Sequence, residues 1–199
     1  MSRPFPDVSR AVTYIKAEVT IDAPLKTVWD AILDFPAYPA WNPFVRSQAI
    51  TDPMFRPLLA HPKPTEGAHL LMHVRIPPKG LDDNDKGLQS SKEVITFIDE
   101  KNYRIVWAQV GIPKWLLKAE RWQEVTEVQV DGRAIAKYMT VEVRALTCLY
   151  VMLCIDILAQ VFNGPAALVV RLFMRKNLTT SFEAMANGLK KYSEELASK

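Results

Sequence analysis

The segment that most constrains the fold is residues 21–45, with the sequence IDAPLKTVWDAILDFPAYPAWNPFV. It follows residues 13–21, in which apolar and polar side chains alternate, and this alternation predicts a strand with one solvated face. Asp22 stands where it can cap a helix, and Pro24 would lie in the first turn, where its missing N–H does no harm. The segment therefore predicts a strand end, a short helix, an aromatic turn and the start of a second strand.

The second constraint is a change of hydrophobic period at Pro165. From there, apolar side chains recur at roughly helical spacing, which predicts one long amphipathic helix at the C-terminus. The residues between the two segments predict antiparallel strands, and Asp131-Gly132 is the strongest hairpin signal among them. These further strands are expected at residues 45–50, 68–76, 92–98, 103–110, 119–130 and 134–144. A sheet of six or seven strands wrapped around one distant helix would enclose a cavity for a small apolar molecule.

Length and charge limit the classes of function. A chain of 199 residues is expected to form an N-terminal tail, residues 1–11, and one domain, residues 12–199. The net charge is only +3 and both signs are mixed along the chain, which argues against a nucleic-acid partner.

The N-terminus lacks the apolar core of a secretory signal, so a cytoplasmic location is expected. Residues 145–162 have transmembrane length, but Asp156 interrupts them, which favours a buried segment or peripheral contact with a membrane surface. Cys148 and Cys154 have neither a metal nor a disulfide spacing and are expected to be free thiols.

Two motifs in the opening segment resemble the START-like superfamily, also called SRPBCC. The first is I-x-A-P-x-x-x-V-W, beginning at Ile21, and the second is D-F-x-x-Y-P-x-W-N-P-F, beginning at Asp34. A later match is the strand motif V-E-V around Glu142, which precedes the terminal helix. The resemblance covers about residues 12–197.

This resemblance implies an α+β helix-grip fold, in which a curved antiparallel sheet wraps around the C-terminal helix. The superfamily includes polyketide cyclases, coenzyme Q-binding proteins and abscisic-acid receptors, so the resemblance implies a small hydrophobic ligand without naming it. The chain departs from the usual pattern near Leu146, where a glycine is common, and in the apolar character of residues 146–164.

Glu142 is the leading candidate for chemistry, because a carboxylate between two valines is costly to bury unless it is paired or functional. Its face also carries Tyr138, which would bring a phenol to the same wall. The resemblance to abscisic-acid receptors implies a ligand-binding glutamate in this strand. The alternative is that this face points outward and that Val141 lies inside.

Three further strand residues are candidates. His73 could be a general acid or base, because this side-chain type ionises near neutrality when unperturbed, although its alternating neighbours also fit a solvated face. Arg121 can orient an enolate or a carboxylate, and Trp107 suits a mixed aromatic and polar wall. Each also fits a structural role.

The remaining candidates would contact the ligand directly. Trp41 and Asn42 can cover an apolar ligand and offer it a hydrogen bond, with Phe44 marking the same rim. The alternative is that Trp41 closes the core and Asn42 caps the turn. Phe182 and Met185, on the apolar stripe of the long helix, complete the candidate ligand-binding set.

No motif for nucleophilic catalysis, nucleotide binding or metal binding is found, so no cofactor and no metal are expected. Two functions stay open from the sequence. One is a cyclase or isomerase that acts on a polyketide-like intermediate with acid–base groups. The other is a non-catalytic carrier of a lipid or quinone, associated with a membrane surface or free of it. The sequence does not indicate the oligomeric state.

Overall fold

A computed structural model describes residues 13–58, 62–82, 86–111, 118–145 and 165–199, and their side chains apart from residues 13, 118, 143–145 and 165–175. The expected N-terminal tail, the apolar segment after residue 145 and both cysteines lie outside the described residues. So do the departures from the family pattern at residues 146–164.

Seven antiparallel strands form one sheet, as the sequence predicts. They are β1 (Thr13–Ile21), β2 (Val45–Thr51), β3 (His69–Val74), β4 (Gln89–Asp99), β5 (Arg104–Gln109), β6 (Lys118–Val130) and β7 (Arg133–Ala145). Their order across the sheet is β1-β7-β6-β5-β4-β3-β2, so the hairpin of the two longest strands, β6 and β7, lies next to the edge strand β1. Bulges in β2 and β4 shift the register locally, and such bulges bend a strand.

The helices lie on one face of this sheet. They are α1 (Leu25–Leu33), α2 (Tyr38–Trp41) and α3 (Pro165–Ala197), with a 3₁₀ turn (Phe35–Ala37) between the first two. The predicted cap at Asp22 is wrong, because Pro24 is the residue that precedes the first turn of α1. Asp22 instead contacts α3, because its backbone N–H donates a hydrogen bond to Glu194 Oε1 at 3.0 Å.

The core lies between the sheet and α3. Leu178, Phe182, Met185 and Leu189 of α3 are buried against alternate residues of the strands, and each such side chain contributes about 2 kcal/mol. Within the described ranges, no helix combines the length and the hydrophobicity that spanning a membrane requires.

Gly188 allows α3 to approach the aromatic turn. A Cβ atom at this position would lie 2.2 Å from the Trp41 carbonyl oxygen and 3.3 Å from Pro43 Cδ. Only a residue without a side chain permits this distance, so the glycine sets how closely α3 packs on α2.

Candidate functional site

The register of three neighbouring strands brings the main polar candidates together. Arg121 of β6 pairs with Trp107 of β5 on one side and with Glu142 of β7 on the other. Trp107 belongs to the core that α3 covers, so the other two residues of this cross-strand row face the same interior. Glu142 is therefore on the inner face of the sheet, one of the two orientations left open by the sequence.

Arg121 is the centre of this row. Only 6% of its surface is exposed, and its Nη2 and Nε donate to Glu142 Oε2 at 2.8 and 3.2 Å. Its guanidinium also lies over two aromatic rings, 5.2 Å from the centroid of Phe44 and 4.7 Å from that of Phe182. The aromatic faces and the carboxylate together stabilise a cation that burial alone would penalise.

A second carboxylate reinforces this charge. Glu93 of β4 is buried, and its Oε1 accepts a hydrogen bond from Ser91 Oγ at 2.9 Å. Burial acts to lower the pKa of Arg121, but Glu142 and Glu93 outweigh it and the pKa is raised. Arg121 is therefore a permanent cation between two acids.

The polar row continues along β7 through Thr140 to Tyr138. Burial raises the pKa of the Tyr138 phenol, and the Thr140 hydroxyl and the Arg121 charge offset this only in part. The phenol is therefore protonated at neutral pH and can donate a hydrogen bond or a proton. Four strand residues place the Cα of Tyr138 about 13 Å from that of Glu142.

Several atoms of this cluster have no hydrogen-bond partner within the described part of the chain. They are Arg121 Nη1, Trp107 Nε1 and Gln123 Oε1, all buried. Nη1 and Nε1 are donors and belong to facing residues of β6 and β5, whereas Gln123 offers an acceptor two residues further along β6. Unpaired buried polar atoms are rare in native structures. This set suits a molecule that carries a carbonyl or enolate oxygen and a hydroxyl group.

Most of the predicted site residues meet in this cluster or border it. Those that the structure brings together are Phe44, Trp107, Arg121, Tyr138, Glu142 and Phe182. Met185 is buried in the same core, three residues from Phe182 on α3. We define these seven residues, with Glu93 and Gln123, as the arginine cluster.

Trp41 and Asn42 have structural contacts instead. The Trp41 ring lies 4.7 Å from Tyr38 and 6.2 Å from Tyr192, centroid to centroid, and is buried. Asn42 Oδ1 accepts the backbone N–H groups of Phe44 at 3.0 Å and Val45 at 2.8 Å. Trp41 is therefore part of the core and Asn42 Oδ1 holds the turn, while Trp41 Nε1 and Asn42 Nδ2 have no hydrogen-bond partner within the described part of the chain.

His73 lies on the opposite face of the sheet from the arginine cluster. It neighbours Met72 and Val74, which are buried in the core, and strand alternation directs its side chain the other way. Its Nδ1 is 2.8 Å from Ser47 Oγ. The structure does not bring it near Arg121. Among the described residues, no group of three His, Cys, Asp or Glu side chains is arranged to hold a metal ion.

Glu93 and Gln123 were not anticipated from the sequence. Gln123 could have been found, because it shares a face with Arg121 by simple alternation. Glu93 depends on the pairing of β4 with β5, which local sequence does not specify.

Comparison with known proteins agrees with this fold. A family model described as polyketide cyclase / dehydrase and lipid transport matches residues 13–194. The chain belongs to this family. A relative in Penicillium oxalicum, named oxopyrrolidines biosynthesis cluster protein O, is 29% identical over 196 residues, which covers 92% of this chain and 86% of that protein.

Solved structures of more distant proteins share the architecture. The aromatase/cyclase Zhui from a Streptomyces species is 12% identical, with a TM-score of 0.57 over 92% of this chain and 94% of that one. A START superfamily protein from Mycobacterium smegmatis is 16% identical, with a TM-score of 0.55, 92% coverage of this chain and 98% of that one.

The di-domain aromatase/cyclase BexL is 19% identical, with a TM-score of 0.57 over 92% of this chain. The family member described here spans 50% of the length of that protein. At these identities the structural likeness concerns the fold, which is the START-like helix-grip fold that the sequence motifs implied.

Proposed function

We propose that this polyketide cyclase family member binds a small, oxygenated, largely apolar molecule between its sheet and α3, and that it acts there as a cyclase or isomerase on a polyketide-like intermediate. The observation that carries the proposal is Arg121. Its guanidinium is buried against two phenyl rings and Glu142 occupies Nη2 and Nε, while Nη1 has no hydrogen-bond partner within the described part of the chain. Such a donor suits an oxygen that gains negative charge during a reaction.

The chemistry that fits this arrangement is an intramolecular aldol-type ring closure. Glu142 takes a proton from the carbon between two carbonyl groups, and Arg121 Nη1 and Trp107 Nε1 donate to the resulting enolate oxygen. The enolate carbon then bonds to a second carbonyl carbon, and the Tyr138 phenol protonates the alkoxide that forms. Exchange with water then removes the proton from Glu142 and returns one to the Tyr138 phenolate. The Glu142-to-Tyr138 spacing of about 13 Å requires an elongated substrate, which the aromatic walls would hold folded.

The comparisons support this reading at the level of family. The family description names polyketide cyclases, and the relative from Penicillium oxalicum is named for a biosynthesis cluster. The ligand class is nevertheless a proposal that rests on the arginine cluster, because fold alone does not specify function.

A non-catalytic carrier of a lipid or quinone is the second candidate. This carrier function is favoured because two of the three unpaired atoms in the arginine cluster, Arg121 Nη1 and Trp107 Nε1, are hydrogen-bond donors, which can bind a carbonyl oxygen without any reaction. The same family description includes lipid transport.

Binding is tested with the hydroxylated anthraquinone emodin as the probe. We expect Arg121→Met to weaken emodin binding by about tenfold or more, because a buried hydrogen bond to a charged group contributes about 1.5–3 kcal/mol. Arg133→Met is the matched control, since Arg133 is exposed and its Nη1 lies 3.4 Å from Asp22 Oδ2 in a solvent-exposed ion pair. Equal weakening by both substitutions, or by neither, would contradict the proposed site.

Catalysis is tested separately with a linear poly-β-ketone thioester, by following the ratio of products. Tyr138→Phe and Glu142→Gln should each return the ratio toward that of the spontaneous reaction, while Tyr138→Phe retains emodin binding. If the native protein binds emodin but leaves the products and their rate at the spontaneous values, the carrier function holds and the cyclase function fails.

A further inference from the structure

A second candidate site lies at the other end of the sheet. A groove of about 400 Å³ opens between the end of α1, the 3₁₀ turn, strand β2 and the chain around Pro64. Leu33, Phe35, Ile50 and Pro64 contribute its apolar walls. Its volume is at the lower end of the range for small-molecule sites, which suits a ligand of one or two rings.

The groove is distinct from the arginine cluster. Strand β2 is an edge strand, and three strands separate it from β6, which carries Arg121. None of the described residues that line the groove belongs to the arginine cluster.

Gln48 is the feature of this groove that indicates a ligand. Only 5% of its surface is exposed, yet neither Oε1 nor Nε2 has a hydrogen-bond partner within the described part of the chain. A methionine of similar size would fill this position without burying an amide that has lost its water. Gln48 is one of the residues that line the groove, and its amide carries both a donor and an acceptor.

The charged residues that line the groove limit the charge that a ligand can carry. Lys63 is paired with Glu100 at 2.7 Å, and Asp30 is paired with Lys26. Asp34 adds a further exposed carboxylate to the lining. A negatively charged ligand would be repelled by this carboxylate, and it would find the charge of Lys63 already paired with Glu100. A neutral ligand is therefore favoured.

The edge of β2 also limits what can bind. The chain turns back after Thr51, which pairs with Pro57, and the Leu58 N–H donates to the Ile50 carbonyl at 3.4 Å. Added strands therefore meet an edge that is already occupied at this end, which favours a small molecule over an extended peptide.

We propose that this groove is a second binding site for a neutral cyclic amide, whose adjacent N–H and C=O pair with the Oε1 and Nε2 of Gln48. A lactam in its obligatory cis form presents both groups on one edge, which matches the primary amide in a two-point contact. Its ring would pack against the proline and aliphatic walls.

The test uses carbostyril, a bicyclic lactam, and its N-methyl derivative, which lacks the donor. Carbostyril should perturb the side-chain amide signals of Gln48 in a ¹⁵N-correlated NMR titration, and the N-methyl derivative should bind about tenfold more weakly because one of the two hydrogen bonds is lost. Gln48→Met should weaken carbostyril binding by at least the same factor. Because it removes an unpaired buried amide, this variant should melt no lower than the native protein.

The control uses emodin, the probe of the arginine cluster, and a saturating concentration of emodin should change the affinity for carbostyril by less than twofold. Displacement of carbostyril by emodin, with carbostyril binding unchanged in Gln48→Met, would place the lactam in the arginine cluster and overturn the proposal. Equal binding of the two ligands, or saturation that leaves the Gln48 amide signals unmoved, would overturn it as well. Should Gln48→Met fail to fold, the titration of the native protein decides alone.

Discussion

Replacing Arg121 with methionine should destabilise the fold more than replacing Glu142 with glutamine, although each change removes one partner of the same ion pair. Methionine leaves two buried carboxylates, Glu142 and Glu93, without the cation whose pKa they raise. Glutamine keeps the size of Glu142 and an acceptor for Arg121, whose charge is still faced by Glu93.

The magnitudes follow from these contacts. Breaking a buried ion pair by removing one partner costs about 3–5 kcal/mol. Arg121→Met also removes the guanidinium from above the rings of Phe44 and Phe182, and such contacts contribute about 0.5–2 kcal/mol each. Glu142→Gln should cost about 1.5–3 kcal/mol, the value of a hydrogen bond to a charged group. When the low ends and the high ends of these ranges are compared, the two variants should differ by about 2.5–6 kcal/mol.

Urea unfolding followed by tryptophan fluorescence measures this difference, with equal m-values as the check that the unfolded states match. Arg133→Met, which alters only an exposed pair, should change the free energy of unfolding by less than about 1 kcal/mol. If Glu142→Gln proves as destabilising as Arg121→Met, then Glu93 does not share the charge of Arg121 and the description of the cluster is wrong.

Three further predictions test other parts of the structure. Gly188→Ala should destabilise the protein by about 1–3 kcal/mol, because the new Cβ would lie 2.2 Å from the Trp41 carbonyl oxygen, which outweighs the better helix propensity of alanine. Gly80→Ala is the control, since there is open space around this position, and it should leave the thermal melting curve unchanged. Burial raises the pKa of Tyr138 and Tyr38 above the unfolded value, so the folded state retains protons that the unfolded state loses and stability should fall as pH rises above about 10. Tyr138→Phe should reduce that slope by up to about 1.4 kcal/mol per pH unit. Asn42→Ala should lower the free energy of unfolding by about 1–3 kcal/mol, because two hydrogen bonds of the turn are lost. A decrease in emodin affinity at temperatures where the variant is folded would contradict a purely structural role for Asn42.

The fold could be predicted because local signals and the family motifs agreed. Alternation in residues 13–21, the turn at Asp131-Gly132 and the period change at Pro165 each specify an element without reference to the rest of the chain. The cap at Asp22 was misassigned because α1 begins at Leu25, so that Pro24 and not Asp22 occupies the capping position, and Asp22 is held from 172 residues away by Glu194.

The site was less predictable because it depends on which face of each strand is covered. Both Val141 and Glu142 are buried, so hydrophobicity along β7 cannot distinguish inside from outside. The pairing of Arg121 with Glu142 is a consequence of register between β6 and β7, and the neighbouring Glu93 is placed by β4 and β5. Gly188 carries no sequence signal at all, since its role depends on the carbonyl of Trp41.

The central claim is that Arg121 recognises a ligand oxygen between the sheet and α3. A crystal structure of the complex with emodin tests it most directly. We expect an emodin oxygen within hydrogen-bond distance of Arg121 Nη1, with the rings against Phe44 and Phe182. Emodin bound elsewhere, or in this space with no oxygen near Arg121 or Trp107 Nε1, would contradict the account.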